Sequence, residues 1–148
     1  MKPLLTLPIA MLMLGVFTSS GAVEVPAQKP GLWKITMTSA SMPGGTQSYS
    51  MCLDAARIAE GKAGADAHLK NDCSRRDLRK EGNTWIADTE CTYSGIHDVS
   101  HSVTTVHGDD TYHMELTSTT GKTSTVMTID DKWLGACKPG RKVGVPIR

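Results

Sequence analysis

The chain has 148 residues, 16 of them basic and 15 acidic, for a net charge of +1. That length fits one domain, and so even a balance lacks the basic stripe that neutralising a phosphate backbone requires, which argues against nucleic acid as a partner. Aromatic residues are only 5% of the chain, so the core is thinly supplied and the four cysteines carry weight.

Lys2, the apolar run Leu4 to Phe17 and the small residues Ser20-Gly21-Ala22 have the composition of an export signal with its cleavage site. The run is shorter than the roughly 20 residues a bilayer takes, and no second run approaches that length. Residues 1–22 are therefore expected to be removed, leaving residues 23–148 as a single disulfide-linked β domain with no stable membrane span. The expected location is periplasmic or secreted, where disulfides persist.

After an extended entry (residues 23–29), Pro30-Gly31 opens a strand from Leu32 to Thr38, rich in large and β-branched residues. Met42-Pro43-Gly44-Gly45 ends it, and a second short strand, Gln47 to Leu53, carries Cys52. Asp54 fits the N-cap of a brief helix near residues 54–60 that Gly61 stops. Lys62 to Lys70 reads as a polar connection.

The second half is more regular. Cys73 to Lys80 and Thr84 to Thr92 flank Glu81-Gly82-Asn83, and Val99 to His107 and Thr111 to Thr119 flank Gly108-Asp109-Asp110. Around Gly121-Lys122, a two-residue loop sets Thr120 against Thr123, Leu116 against Met127 and Met114 against Ile129. Glu115 then faces Thr128 and Thr117 faces Val126, so one face is apolar and the other polar, as a half-buried sheet requires. The fold expected is mainly β: an antiparallel meander of six to seven strands forming a curved sheet or half-open barrel, with one short helix. Residues 138–148 read as a flexible tail.

Four cysteines allow three pairings. A three-residue loop at Glu81-Gly82-Asn83 would set Cys73 opposite Cys91, which favours Cys73–Cys91 and leaves Cys52–Cys137. With no C-x-x-C present, zinc-ribbon and thioredoxin-type chemistry is not indicated.

Catalytic signals are missing as well. There is no G-x-S-x-G elbow, and Asp109-Asp110 lacks the further ligands of a calcium loop. His107, His113 and Glu115 fall on one strand face and are the candidate ligands for zinc or copper, against the plainer reading of a solvated face. His101 is about 20 Å from His107 along a strand and cannot share their ion. Arg75-Arg76 and Arg79-Lys80 read as a solvated hairpin arm. Gly31-Leu32-Trp33 resembles the lipocalin signature, in which an indole closes one end of a ligand-holding barrel; the plainer role for Trp33 is a core anchor.

Taken together, Lys29-Pro30-Gly31-Leu32-Trp33-Lys34-Ile35-Thr36, Met51-Cys52-Leu53-Asp54-Ala55-Ala56, the isolated Cys73 and Cys91, Gly108-Asp109-Asp110-Thr111-Tyr112 and Trp133-Leu134-Gly135-Ala136-Cys137 carry a resemblance. The chain resembles a family of small exported proteobacterial proteins classed as domain of unknown function 3617. The resemblance implies a periplasmic or secreted β domain and supplies no catalytic residues. The function expected is a non-enzymatic periplasmic binding or interaction module without a cofactor, whose partner is an unknown protein or a small apolar ligand. One alternative is a lipocalin-like carrier with Trp33, Tyr112, Met114, Leu116, Met127 and Ile129 lining its cavity; another is an inhibitor or protector of a cell-envelope enzyme.

Overall fold

A computed structural model describes residues 23–147; the expected export signal lies outside the described residues. Its strands are β1 Gly31–Thr38, β2 Thr46–Leu53, β3 Cys73–Glu81, β4 Thr84–Tyr93, β5 Ile96–His107, β6 Thr111–Thr120 and β7 Thr123–Gly135, with one helix, α1 Ala55–Asp72, between β2 and β3. All seven form a single antiparallel sheet in the order β2-β1-β7-β6-β5-β4-β3. No ladder joins the edge strands β2 and β3, so the sheet is open rather than a closed barrel.

The hairpins follow from their turns. Around Gly121-Lys122, Thr120 pairs with Thr123, Leu116 with Met127 and Met114 with Ile129, the register that the alternation of apolar and polar residues demands. The loop between β5 and β6 has three residues, with His107 opposite Thr111. Between β3 and β4 the connection is tighter than the expected three-residue loop. Glu81 pairs with Thr84, leaving Gly82-Asn83 as a two-residue turn. Gly82 takes φ 62°, the positive value that the first position of a type II′ turn needs. A register shift between Cys73 and Arg75 then restores the offset and sets Cys73 opposite Cys91. A further turn at Ser94-Gly95 starts β5 at Ile96, three residues ahead of the expected Val99.

β7 runs on to Gly135 because its second half pairs with β1, Trp33 lying opposite Trp133 and Met37 opposite Ile129. This non-local ladder places β1 inside the sheet. The segment after Cys137 is not the flexible tail that its composition predicts but is bonded to the β2 edge. Ser50 and Ile147 exchange both backbone hydrogen bonds (2.8 and 2.7 Å), and the Gly144 N–H donates to the Cys52 carbonyl at 2.8 Å.

Helix α1 is three times the expected length. Asp54 caps it, its carboxylate accepting from the Arg57 N–H at 2.8 Å. It runs on through Gly61 and Gly64 because alanines at 55, 56, 59, 63, 65 and 67 favour helix strongly enough to offset about 1 kcal/mol per glycine. Lys62–Asp66 and His68–Asp72 contacts at i,i+4 add a few tenths of a kcal/mol each. The helix buries no residue, so packing does little to hold it. Covalent bonds hold it instead: Cys52–Cys137 lies just ahead of its N-cap and Cys73–Cys91 begins at its C-cap. At 1.5 Å per residue its 18 residues cover about 27 Å, linking one sheet edge to the other.

One face of the sheet, here the inner face, carries the core. Trp33, Leu53, Val106 and Tyr112 form it, with Met51, Ile58, Trp85 and Trp133 packed around them. Trp33 is fully buried and meets Tyr112 edge-on at 5.4 Å.

Candidate ligand-binding site

Residues 24–30 cross the inner face as an extended strap, and four aromatic side chains hold its backbone. Trp85 Nε1 of β4 donates to the Glu24 carbonyl at 2.8 Å, and Tyr112 Oη of β6 to the Ala27 carbonyl at 2.7 Å. Trp33 Nε1 of β1 donates to the Lys29 carbonyl at 2.9 Å, and Trp133 Nε1 of β7 to the Pro30 carbonyl at 3.1 Å. All three tryptophans of the chain therefore direct their only donor at the strap. The match is mutual: an extended segment outside the sheet has free carbonyls, and a buried indole N–H needs an acceptor. Lys29 adds an ion pair to Asp109 at 2.9 Å and lies 4.0 Å from the centre of the Trp133 ring.

Between strap and sheet lies a cavity of about 260 Å³. Val25 and Pro26 form its roof; Leu78, Trp85, Ala87, Met114 and Ile129 supply apolar walls; Ser102, Thr104, Tyr112, Gln28 and Asp131 supply polar atoms. These sheet residues come from five successive strands, β3 to β7. A second hollow, of about 550 Å³, lies on the other side of the strap, against Met51, Leu53 and the α1 side chains Arg57, Ile58, Ala65 and Leu69.

Of the six residues expected to line a cavity, Tyr112, Met114 and Ile129 do. Trp33 sits in the core beside Tyr112 instead. Leu116 and Met127 face each other farther along the same sheet face, outside the cavity wall. The strap residues and Trp85, Leu78 and Asp131 complete the lining.

Residues 28–137 match the family model described as "Protein of unknown function (DUF3617)", well over half of the chain. The chain belongs to that family. The DUF3617 match begins at Gln28, within the strap, and ends at Cys137. It takes in all seven strands, the helix, both disulfides and the whole cavity lining except Val25 and Pro26. No curated protein and no solved structure matches the chain.

Asp131 is the unusual member of the DUF3617 cavity. Its Oδ2 accepts from Gln28 Nε2 at 3.3 Å. Its Oδ1 is buried and meets no hydrogen-bond partner among the described residues. Burial, with a smaller contribution from neighbouring Asp130, pushes its pKa up to about 6. A sequence signal for it existed: Met127, Ile129, Asp131 and Trp133 are in phase on β7, so a carboxylate stands on the apolar face.

The outer face holds histidine–carboxylate pairs. His113 Nδ1 lies 2.7 Å from Asp130 Oδ1 and its Nε2 3.6 Å from Glu115; the Asp130 contact above all raises the His113 pKa. His101 lies 2.6 Å from Asp88, which also accepts from Arg79 at 2.8 Å, and these two contacts lower the Asp88 pKa. His107 takes no part in the His113 cluster. Among the described residues no three histidine, cysteine or acidic side chains gather as a metal ion would require. The candidate trio of His107, His113 and Glu115 is thus two contacting residues and a third, His107, beside the β5–β6 turn.

Proposed function

We propose that this DUF3617 protein is a non-enzymatic periplasmic binding module that holds a small, mainly apolar ligand between the strap and the inner face of the sheet. The observation that carries this reading is the cavity itself, apolar on most sides and roofed by a segment tied down through four aromatic hydrogen bonds. Small-molecule sites are concave and apolar with a few placed polar groups, and this one is near the lower end of their size range. Its polar groups are three hydroxyls, an amide and one carboxylate, a set suited to orienting a ligand. The two disulfides favour an oxidising compartment. Cleavage after Ala22 would leave the strap as the first residues of the mature chain, joined covalently to the sheet at one end only.

The test is a fluorescence titration of the oxidised protein with short alkanols, alkylamines and alkanoates, since Trp85 lines the cavity and reports its filling. A saturable shift in wild type, diminished in Trp85→Phe, is expected. Native mass spectra of protein released from periplasm should retain a bound small molecule. Absence of both overturns the reading, and co-purification of a stoichiometric envelope enzyme would replace it with the inhibitor or protector role.

A further inference from the structure

We infer that the ligand of this cavity is an amphiphile bearing a protonated amine, with its ammonium group against the Asp131 carboxylate and its hydrocarbon body against Met114, Ile129 and Trp85. The inference rests on the binding reading above and adds the chemistry of the head group. Asp131 is the only carboxylate among the described lining residues. Its Oδ2 is engaged by Gln28, whereas its Oδ1 is buried without a donor. A buried acceptor left unpaired is costly, and for an ionised carboxylate the complementary partner is a cationic donor.

The surroundings supply none. Across the ladders Asp131 pairs with Ile35 on β1 and Tyr112 on β6, and the tyrosine hydroxyl is committed to the Ala27 carbonyl. Its neighbours Asp130 and Lys132 alternate to the outer face, where Asp130 holds His113. On the strap, Gln28 is neutral and Lys29 is paired with Asp109. Lys80 lies 4.5 Å from the centre of the Trp85 ring. The local balance at Asp131 is therefore negative, which favours an amine over a carboxylate ligand. A cavity of about 260 Å³ has room for a short alkyl chain such as that of octylamine.

The experiment compares octylamine, octanol and octanoate at pH 7.5 by tryptophan fluorescence and calorimetry, on wild type and Asp131→Asn. Wild type should bind octylamine about tenfold or more tighter than octanol, and octanoate most weakly. In Asp131→Asn the amine-to-alcohol ratio should fall to near one. Lowering the pH from 7.5 to 5 should weaken octylamine binding to wild type as Asp131 takes a proton while the amine keeps its charge; this arm needs no variant. If octanol binds wild type as tightly as octylamine, or the ratio survives both Asp131→Asn and pH 5, the amine inference is overturned while the cavity stands. If none of the three binds, the binding reading falls and the inference with it.

Discussion

Replacing Asp131 with asparagine should stabilise the fold, and by an amount that depends on pH. The native carboxyl is raised from 3.8 to about 6, mainly by burial. Between those values the folded state binds more protons than the unfolded one, so stability falls as pH rises through this window and the penalty is complete above it. At about 1.4 kcal/mol per pH unit the full rise corresponds to about 3 kcal/mol. Partial contact with solvent reduces this to about 1–2 kcal/mol. Asparagine keeps an acceptor for Gln28 and removes the charge. Urea unfolding with disulfides intact, followed by tryptophan fluorescence, should give equal stabilities for the two proteins near pH 4. By pH 7 Asp131→Asn should lead by about 1–2 kcal/mol. Taking the difference between two proteins cancels the opposite trends of Asp88 and Asp109, whose lowered values add stability that is lost on acidification. A difference that does not change with pH, or a variant less stable at pH 7, would refute the reasoning.

Gly31 has φ 146°, and a Cβ there would meet the Trp133 indole nitrogen and lie 2.6 Å from the Gly135 carbonyl; Gly31→Ala should cost about 2–5 kcal/mol by the same urea assay. Removing Cys73–Cys91 by double alanine substitution should cost about 3 kcal/mol and removing Cys52–Cys137 about 4.5, as their separations of 18 and 85 residues dictate. Either loss should reduce the helical circular-dichroism signal, because α1 is held by its ends. His113 should titrate above 6.5 by NMR and return toward that value in Asp130→Asn. The stability it contributes is present below pH 6.5 and lost as pH rises through its native midpoint.

What the sequence made legible was local. The β6–β7 register followed from a two-residue loop and the alternation of Met114, Leu116, Met127 and Ile129 with polar neighbours. The β3–β4 hairpin reached the expected cysteine alignment by another route, a shorter turn compensated by a bulge. One residue added to the ladder and one removed from the loop cannot be told apart by counting. The helix is longer than a stop at Gly61 predicts because six alanines and two anchoring disulfides outweigh that glycine. The β1–β7 ladder joins residues about a hundred positions apart, and no turn signal reports such a pairing.

The strap shows why the site was only half legible. Nothing in the side chains of residues 24–30 marks them as a roof, because what the sheet grips is their carbonyls. The grip is written elsewhere, in the indole and phenol donors of Trp33, Trp85, Tyr112 and Trp133. A chain so poor in aromatics would, if packing were its sole need, place them deep in one cluster. Here Trp33 and Tyr112 do form that cluster, yet each also extends a polar tip to the strap, as do the half-buried Trp85 and Trp133. Aliphatic residues of similar bulk would fill the space and leave the strap carbonyls unbound. The choice of tryptophan and tyrosine at these four positions therefore follows from the need to hold a separate segment over the apolar face, and the cavity exists because that segment is held at its backbone rather than packed down by its side chains.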